Sequence, residues 1–266
     1  MSDSAQCQPP SQPIDVVFAP DRDTFERRYV QPAWPVLIRG ATDAWPARGK
    51  WNADYLAATC GDALVCVSRR HGRDPRQMTL AAFLDYVRDT TDDDPLYLAN
   101  WVFEHASRSL LDDYRNPPIF ERLETRLPAH LRPRWRWMFI GPAGSGTPLH
   151  VDTLHTSAWN AALTGRKRWR FYSPDQVRFL YHGAVDSFAP DFAMHPLFAR
   201  ARAIECVQDP GDLVFTPSGW WHQVVNERAG ISVTENFINR ANLDHVKLAA
   251  QLANIPHLDE ALAALR

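Results

Sequence analysis

The spacing of hydrophobic and polar residues changes character twice along the chain. Between residues 20 and 100, helical and strand-like stretches alternate. "DTFERRYV" (23–30) carries acidic residues near its start and predicts a short helix. "PVLIRG" (35–40) is a compact apolar run stopped by glycine, which predicts a buried strand. "NADYLAATCG" (52–61) predicts a helix with a glycine stop, and "ALVCVSR" (63–69) a strand. "MTLAAFLDYVRDT" (78–90) has helical apolar spacing with Thr79 as its cap, and "PLYLAN" (95–100) predicts another short strand. Residues 115–135 are rich in proline and arginine and predict loop, with one short helix near "FERLETRL".

From about residue 135 the pattern shortens. "RWRWMFIG", "SAWNAALTG", "RKRWRFYS", "AIECVQ", "DLVFTP", "HQVVNE" and "ISVTENFIN" follow one another, rich in Val, Ile, Phe, Trp and Thr and bounded by turn residues. Several short strands at this spacing predict an antiparallel barrel or sandwich, and a double-sheet jelly roll fits them. After residue 241 the helical period returns in "NLDHVKLAAQLANI" (242–255) and "HLDEALAALR" (257–266). The expectation is a mainly β fold with peripheral helices: one domain over 16–266, ending in C-terminal helices at 242–266. Residues 1–15 are polar and proline-rich and are expected to be a disordered leader.

Composition narrows the function classes. A chain of 266 residues, 45% hydrophobic, can bury one large core. With 29 basic and 31 acidic residues, and "GRKRWR" as the nearest thing to a basic run, no nucleic-acid or anionic-membrane surface is indicated. No apolar run approaches the roughly 20 residues of a membrane span. The N-terminus lacks the charged-then-apolar order of a secretory signal. The four cysteines form no C-x-x-C pair, which predicts free thiols in a reducing, cytoplasmic setting. "GPAGSGT" (141–147) lacks the Gly-Lys-Ser/Thr ending of a phosphate loop and precedes a strand, so it predicts a turn.

The candidate chemistry begins with "LHVDTLH" (149–155). His150 and Asp152 stand two apart, which on a strand puts both side chains on one face. "PGDLVFTPSGWWHQVVN" (210–226) reads as turn, strand, turn and return strand, and a hairpin of that kind can bring His222 beside the pair. Two imidazoles and one carboxylate on one face of an octahedron hold Fe(II) and leave positions open for substrate and O₂. His155 has the opposite face offset and reads as a rim or substrate-facing residue. The other histidines lack a companion at useful spacing. O₂ chemistry at such a centre needs electrons, which a 2-oxo acid supplies, and the acid's far carboxylate needs a cation. Lys167, at the start of the strand after the "TGRK" turn, is the candidate. Thr147, Asn160 and Thr234 are polar residues on otherwise apolar strands, and buried polar groups need partners. The tryptophans Trp159, Trp169, Trp220 and Trp221 are expected to fill core around the site.

Together, "GSGTPLHVDTLHTSAWNAALTGRKRWRFYSP", "PGDLVFTPSGWWHQVVN" and "ISVTENF" resemble the JmjC-domain 2-oxoglutarate oxygenases, with a cupin-like double-stranded β-helix core. The likeness is greatest to the phosphatidylserine-receptor-type branch of arginine demethylases and lysyl hydroxylases. It extends upstream through "DDDPLYLANW" and covers roughly residues 25–240. The resemblance implies iron on His150, Asp152 and His222, and Lys167 and Thr147 on the distal carboxylate of 2-oxoglutarate. It implies Asn160, Thr234 and Tyr97 around the same co-substrate, and Trp137 and Asn236 near the substrate entrance. It further implies a hydroxylase that turns 2-oxoglutarate and O₂ into succinate and CO₂ while oxidising a protein side chain of the lysine or arginine type. This chain lacks the long basic and Ser-rich tails of that branch, and His155 stands where the relative has a small residue. Its compact length suggests a bacterial source. A small-molecule hydroxylase with the same iron site and a non-catalytic metal-binding module are the alternatives. The helical tail either pairs with a second subunit or packs on its own barrel.

Overall fold

The computed structural model describes residues 10–265. The chain opens with strands β1 (Ser11–Pro13) and β2 (Asp15–Phe18), then helix α1 (Arg22–Phe25), which runs on as a π-helical turn over Glu26–Val30. Strand β3 (Val36–Arg39), helices α2 (Ala47–Lys50) and α3 (Ala53–Cys60), and the pair β4 (Leu64–Val67) and β5 (Arg76–Thr79) follow. Helix α4 (Leu80–Asp89) starts where Thr79 Oγ1 accepts the Ala82 N–H, the cap its sequence predicts. Strand β6 (Leu98–Trp101) completes this half.

Eight strands are then shared between two sheets: β7 (Arg136–Gly141), β8 (Gly146–His150), β9 (Ser157–Ala162), β10 (Arg166–Tyr172), β11 (Ala203–Gln208), β12 (Leu213–Thr216), β13 (Trp221–Arg228) and β14 (Gly230–Phe237). One sheet runs β1-β11-β10-β13-β8; the other runs β2-β3-β12-β9-β14-β7-β6. The eight make the expected double-stranded β-helix, and β1, β2, β3 and β6 widen it. Helices α5 (Leu243–Leu252) and α6 (Pro256–Ala263) close the chain.

Side-chain alternation decides what each layer holds. On β14, Ile231, Val233 and Phe237 join the large core between the seven-stranded sheet and the N-terminal helices. That core holds Phe25, Trp51, Phe83, Trp159 and Phe215, none more than 1% exposed, and each large apolar side chain so buried contributes roughly 1.5–3 kcal/mol. Ser232, Thr234 and Asn236 alternate with these and face the barrel interior. On β10, Lys167, Trp169 and Phe171 face inward, while Arg168 and Arg170 point out to Glu205. The tail packs on its own barrel through Leu243, Val246, Leu258 and Leu262 against Leu123, Leu127 and Ile238. Leu248 and Leu252, one turn apart on α5, stay exposed. No helix among the described residues is long and apolar enough to cross a membrane.

Some expectations need correction. The stretch expected as leader is paired from Ser11: β1 runs parallel to β11, matching Ser11 with Ala203, while residues 1–9 lie outside the described residues. Residues 115–135 hold two 3-10 turns, Leu123–Arg126 and Ala129–Leu131, in place of one helix. The strand expected over 95–100 is shifted, and Tyr97 precedes it in an isolated bridge to Ser68. Strand β5 has no apolar alternation and is not visible in the sequence. Cys60, Cys66 and Cys206 are free thiols; Cys7 lies outside the described residues.

Candidate metal centre

Strands β8 and β13 pair antiparallel with His150 opposite His222. The two imidazole centroids stand 4.2 Å apart. The register breaks between His222 and Val224: two steps along β13 face three along β8, so the extra residue of the bulge lies on β8 between Thr147 and His150. A Cβ at position 146 would lie 2.1 Å from the Val224 carbonyl oxygen, so only glycine lets β8 approach this closely. The "GPAGSGT" segment is the turn it was expected to be, with Ser145 Oγ donating to the Pro142 carbonyl at 2.6 Å.

Asp152 reaches the same point by another route than the one expected. Strand β8 ends at His150, so Asp152 is presented from the mouth of the turn Thr153–His155 and not from the ladder. Leu154 (φ 51°) and His155 (φ 54°) take the left-handed conformation without glycine, a departure of about 1–3 kcal/mol per residue that surrounding structure must hold. Leu154 packs against the tail cluster, which supplies part of that hold.

One ligand atom each from His150, Asp152 and His222 lies within 4.8 Å of the others. The atoms on offer suit a cation. His150 Nδ1 donates to the Pro148 carbonyl at 2.8 Å, and His222 Nδ1 to the Trp220 carbonyl at 3.1 Å. A carbonyl can only accept, so both rings carry their proton on Nδ1 and leave Nε2 bare. Burial, with His150 alongside, holds the His222 imidazole well below its ordinary range, hence neutral. Asp152 Oδ1 accepts one bond from Asn236 Nδ2 at 3.1 Å, while Oδ2 is sealed from solvent with no hydrogen-bond partner among the described residues. Burial raises its carboxyl; His150 and Asn236 pull the other way and are outweighed. Two bare nitrogens and an orphaned carboxylate oxygen are the donor set of a facial two-histidine, one-carboxylate iron site.

This centre sits in a cavity of about 500 Å³. Lys167, 3% exposed, occupies the cavity wall with no carboxylate partner among the described residues. Its Nζ donates to Asn226 Oδ1 at 2.9 Å and to Tyr97 Oη at 3.3 Å. Burial pulls its pKa down to about 7 and pushes the Tyr97 phenol up. The Tyr97 ring lies where a Cβ on residue 141 would stand, 2.4 Å from its Cδ2, so Gly141 is what admits it. Thr147, Asn160 and Thr234 also line the cavity. Asn160 Nδ2 donates to Thr234 Oγ1 at 2.6 Å, and Asn160 Oδ1 has no partner. Trp137 and Asn236 line it as well. His155 does not: it is exposed outside the cavity, because the left-handed turn carries it away from Asp152.

Sequence reading missed Asn226, Asn100 and Trp135, all of them cavity-lining residues or partners of one. Period-two counting from His222 through Val224 reaches Asn226 and could have found it. Of the four tryptophans, Trp169 lines the cavity, Trp159 lies in the outer core, Trp220 is buried beside Trp34, and Trp221 packs half-buried against the cluster of Leu149 and Tyr172.

The chain is similar to known proteins. The family model described as a cupin-like domain matches residues 22–242. The bifunctional arginine demethylase and lysyl-hydroxylase psr-1 of Caenorhabditis elegans is 36% identical over 243 residues, covering 83% of this chain and 60% of the relative. The arginine-specific demethylase JMJ22 of Arabidopsis thaliana is 34% identical over 235 residues, covering 84% and 46%. The 2-oxoglutarate and iron-dependent oxygenase JMJD4 of Gallus gallus is 31% identical over 261 residues, covering 86% and 61%. The chain thus spans about half the length of the curated relatives it matches. With its jelly-roll sheets and a family match across most of its length, the chain belongs to the cupin-like domain family.

Proposed function

We propose that this protein is an Fe(II)- and 2-oxoglutarate-dependent oxygenase that hydroxylates a protein side chain of the lysine or arginine type. One observation carries the reading: a three-ligand cluster with an orphaned carboxylate oxygen shares a cavity with a buried lysine that has no counter-charge among the described residues. The names of the relatives support it from outside the structure.

The roles follow from position. His150, Asp152 and His222 would hold the iron. Bound iron, with 2-oxoglutarate and O₂, supplies the oxidation: the co-substrate loses CO₂ and becomes succinate, and one oxygen atom enters a C–H bond. The chain's own part is placement. Lys167, steadied by Asn226 and Tyr97, takes the far carboxylate, and charge-assisted hydrogen bonds fix the acid's reach toward the centre. Thr147, Asn160 and Thr234 furnish the polar wall beside it. At the mouth, Trp135 and Trp137 stand two residues apart and suit the apolar stem and cationic head of a lysine or arginine. Trp169 and Phe139 make the remaining wall apolar and keep water out.

The test begins without O₂. Fe(II) plus 2-oxoglutarate should give the purified protein a weak visible charge-transfer band, and admitting air with lysine- and arginine-bearing peptides should yield succinate and peptides heavier by one oxygen. His222→Ala should lose both signals. Iron binding without band or succinate would mark a non-catalytic module, and hydroxylation confined to small metabolites would overturn the protein-substrate reading.

A further inference from the structure

We propose that Asn236 is a positioning residue of the metal centre: it locks the Asp152 carboxylate so that only Oδ2 can face the ion. The proposal rests on the metal reading above and deepens it, since the resemblance places Asn236 only on the substrate wall.

Three sets of contacts support it. First, Asn236 is itself rigidly held. It is 2% exposed, its N–H donates to the Trp135 carbonyl at 2.9 Å, and β14 pairs it with Ala158 on β9. Second, both hydrogens of its side-chain amide are in use. Nδ2 donates to Asp152 Oδ1 at 3.1 Å and to Thr156 Oγ1 at 2.8 Å. The Thr156 hydroxyl passes its own proton to the Thr153 carbonyl at 2.8 Å. A single amide therefore bridges the two ends of the turn that presents Asp152. Third, that turn is strained despite its own bonds from His155 N–H to the Asp152 carbonyl and from Thr156 N–H to the Thr153 carbonyl, each at 3.1 Å. It contains two left-handed residues, neither a glycine, and Asp152 has left the strand ladder before it begins.

The consequence for coordination is direct. With Oδ1 occupied, the carboxylate offers one oxygen, and that oxygen stands 3.9 Å from His222 Nε2, a separation that a shared ion can bridge. Freed from Asn236, the carboxylate could rotate about its own bonds, and the ordering cost would fall on metal binding. Partners of this kind typically set metal affinity by 10- to 100-fold.

The test uses Co(II) alone, titrated into the metal-free full chain and followed by its visible absorption, with no 2-oxoglutarate and no substrate. Asn236→Leu keeps the volume and removes the donor; Asn236→Ala is the alternative should the leucine disturb folding, and melting curves confirm that each is folded. Either should bind Co(II) roughly 10- to 100-fold more weakly than the parent. The same substitution made on Asp152→Ala should change the affinity no further, because the group it positions is gone. Equal affinity of parent and Asn236 variant overturns the proposal. So does a loss of the same size in both backgrounds, which would mark Asn236 as merely structural. Failure of the parent to bind Co(II) sinks the metal reading itself, a distinguishable outcome.

Discussion

Two carboxylates, Glu235 on β14 and Asp152, which is hydrogen-bonded to Glu235's neighbour Asn236, have opposite surroundings. Glu235, fully buried on the outer face of β14, is saturated. It accepts from Tyr114 Oη, Asn116 Nδ2, Arg122 Nη1 and Arg136 Nε, each at 2.7 Å. Asp152, on the inner side, has one donor and one orphaned oxygen. Burial would raise both carboxyls. At Glu235 the two guanidiniums and the neutral donors outweigh it and hold the group below the usual range. At Asp152 nothing does. The contrast separates scaffold from site: a buried charge with every lone pair used fastens elements together, and one left short awaits a partner. Glu235 fastens β14 to β7, with Arg136 its cross-strand neighbour, and both to the loops carrying Tyr114, Asn116 and Arg122.

The largest effect should come from the saturated side. Glu235→Ala leaves two half-buried guanidiniums with only Glu124 and Glu104 as counter-charges and the Tyr114 and Asn116 donors without their acceptor, and should cost about 3–5 kcal/mol by urea unfolding. Its pH signature has a definite sign. The folded carboxyl titrates below its unfolded value, so its contribution is present above the ordinary glutamate range and lost as pH falls through the folded pKa. The parent's stability should therefore drop more steeply in acid than the variant's. An unchanged unfolding midpoint would reduce the cluster to surface-like ion pairing.

The unsaturated side should answer with the opposite sign. Asp152→Asn removes a charge that His150 and Asn236 only partly offset in the metal-free chain, and should raise metal-free stability by about 1–3 kcal/mol. The gain should come with a loss: Mn(II) at a hundred times its dissociation constant should stabilise the parent by about 2.7 kcal/mol and leave the variant unmoved. A destabilised Asp152→Asn would mean that the carboxylate already has the partners it needs, and the contrast with Glu235 would fail.

What the sequence disclosed follows the same division. Alternation along "RKRWRFY" and "ISVTENF" announces which residues face inward, and so Lys167, Thr234 and the metal histidines are legible. Asp152 was found for a partly mistaken reason, since its spacing from His150 is that of a strand but a turn delivers it. No glycine signals that turn; it is imposed by Asn236, 80 residues downstream of Thr156, and by tail packing on Leu154. The same turn carries His155, read as a rim or substrate-facing residue, to an exposed position outside the cavity lining. Strand β1 was illegible because its side chains are all exposed, so pairing with β11 leaves no apolar pattern. Glu235 was passed over, although an acidic residue at an outward, core-facing position with arginines upstream is a signal period-two reading can detect.

The smallest effect concerns Lys167, which differs from Arg122 and Arg136 in having no carboxylate beside it. Burial brings its pKa to about 7, so above that pH the folded, ligand-free chain holds it mostly neutral while the unfolded chain keeps it charged up to the ordinary lysine range. The unfolded state then binds more protons, and this group's contribution to stability rises with pH between the two values. An arriving dicarboxylate favours the ammonium form and restores the higher pKa. Binding of 2-oxoglutarate to the Mn(II)-loaded protein at pH 8 should therefore take up part of a proton, visible as a dependence of calorimetric heat on the buffer's ionisation enthalpy. At pH 6 the lysine is already charged and the dependence should shrink. Lys167→Met should abolish it at both. Heats at pH 8 that ignore the buffer would mean that the lysine is charged before the acid arrives, and that the cavity compensates its cation by some group other than the co-substrate.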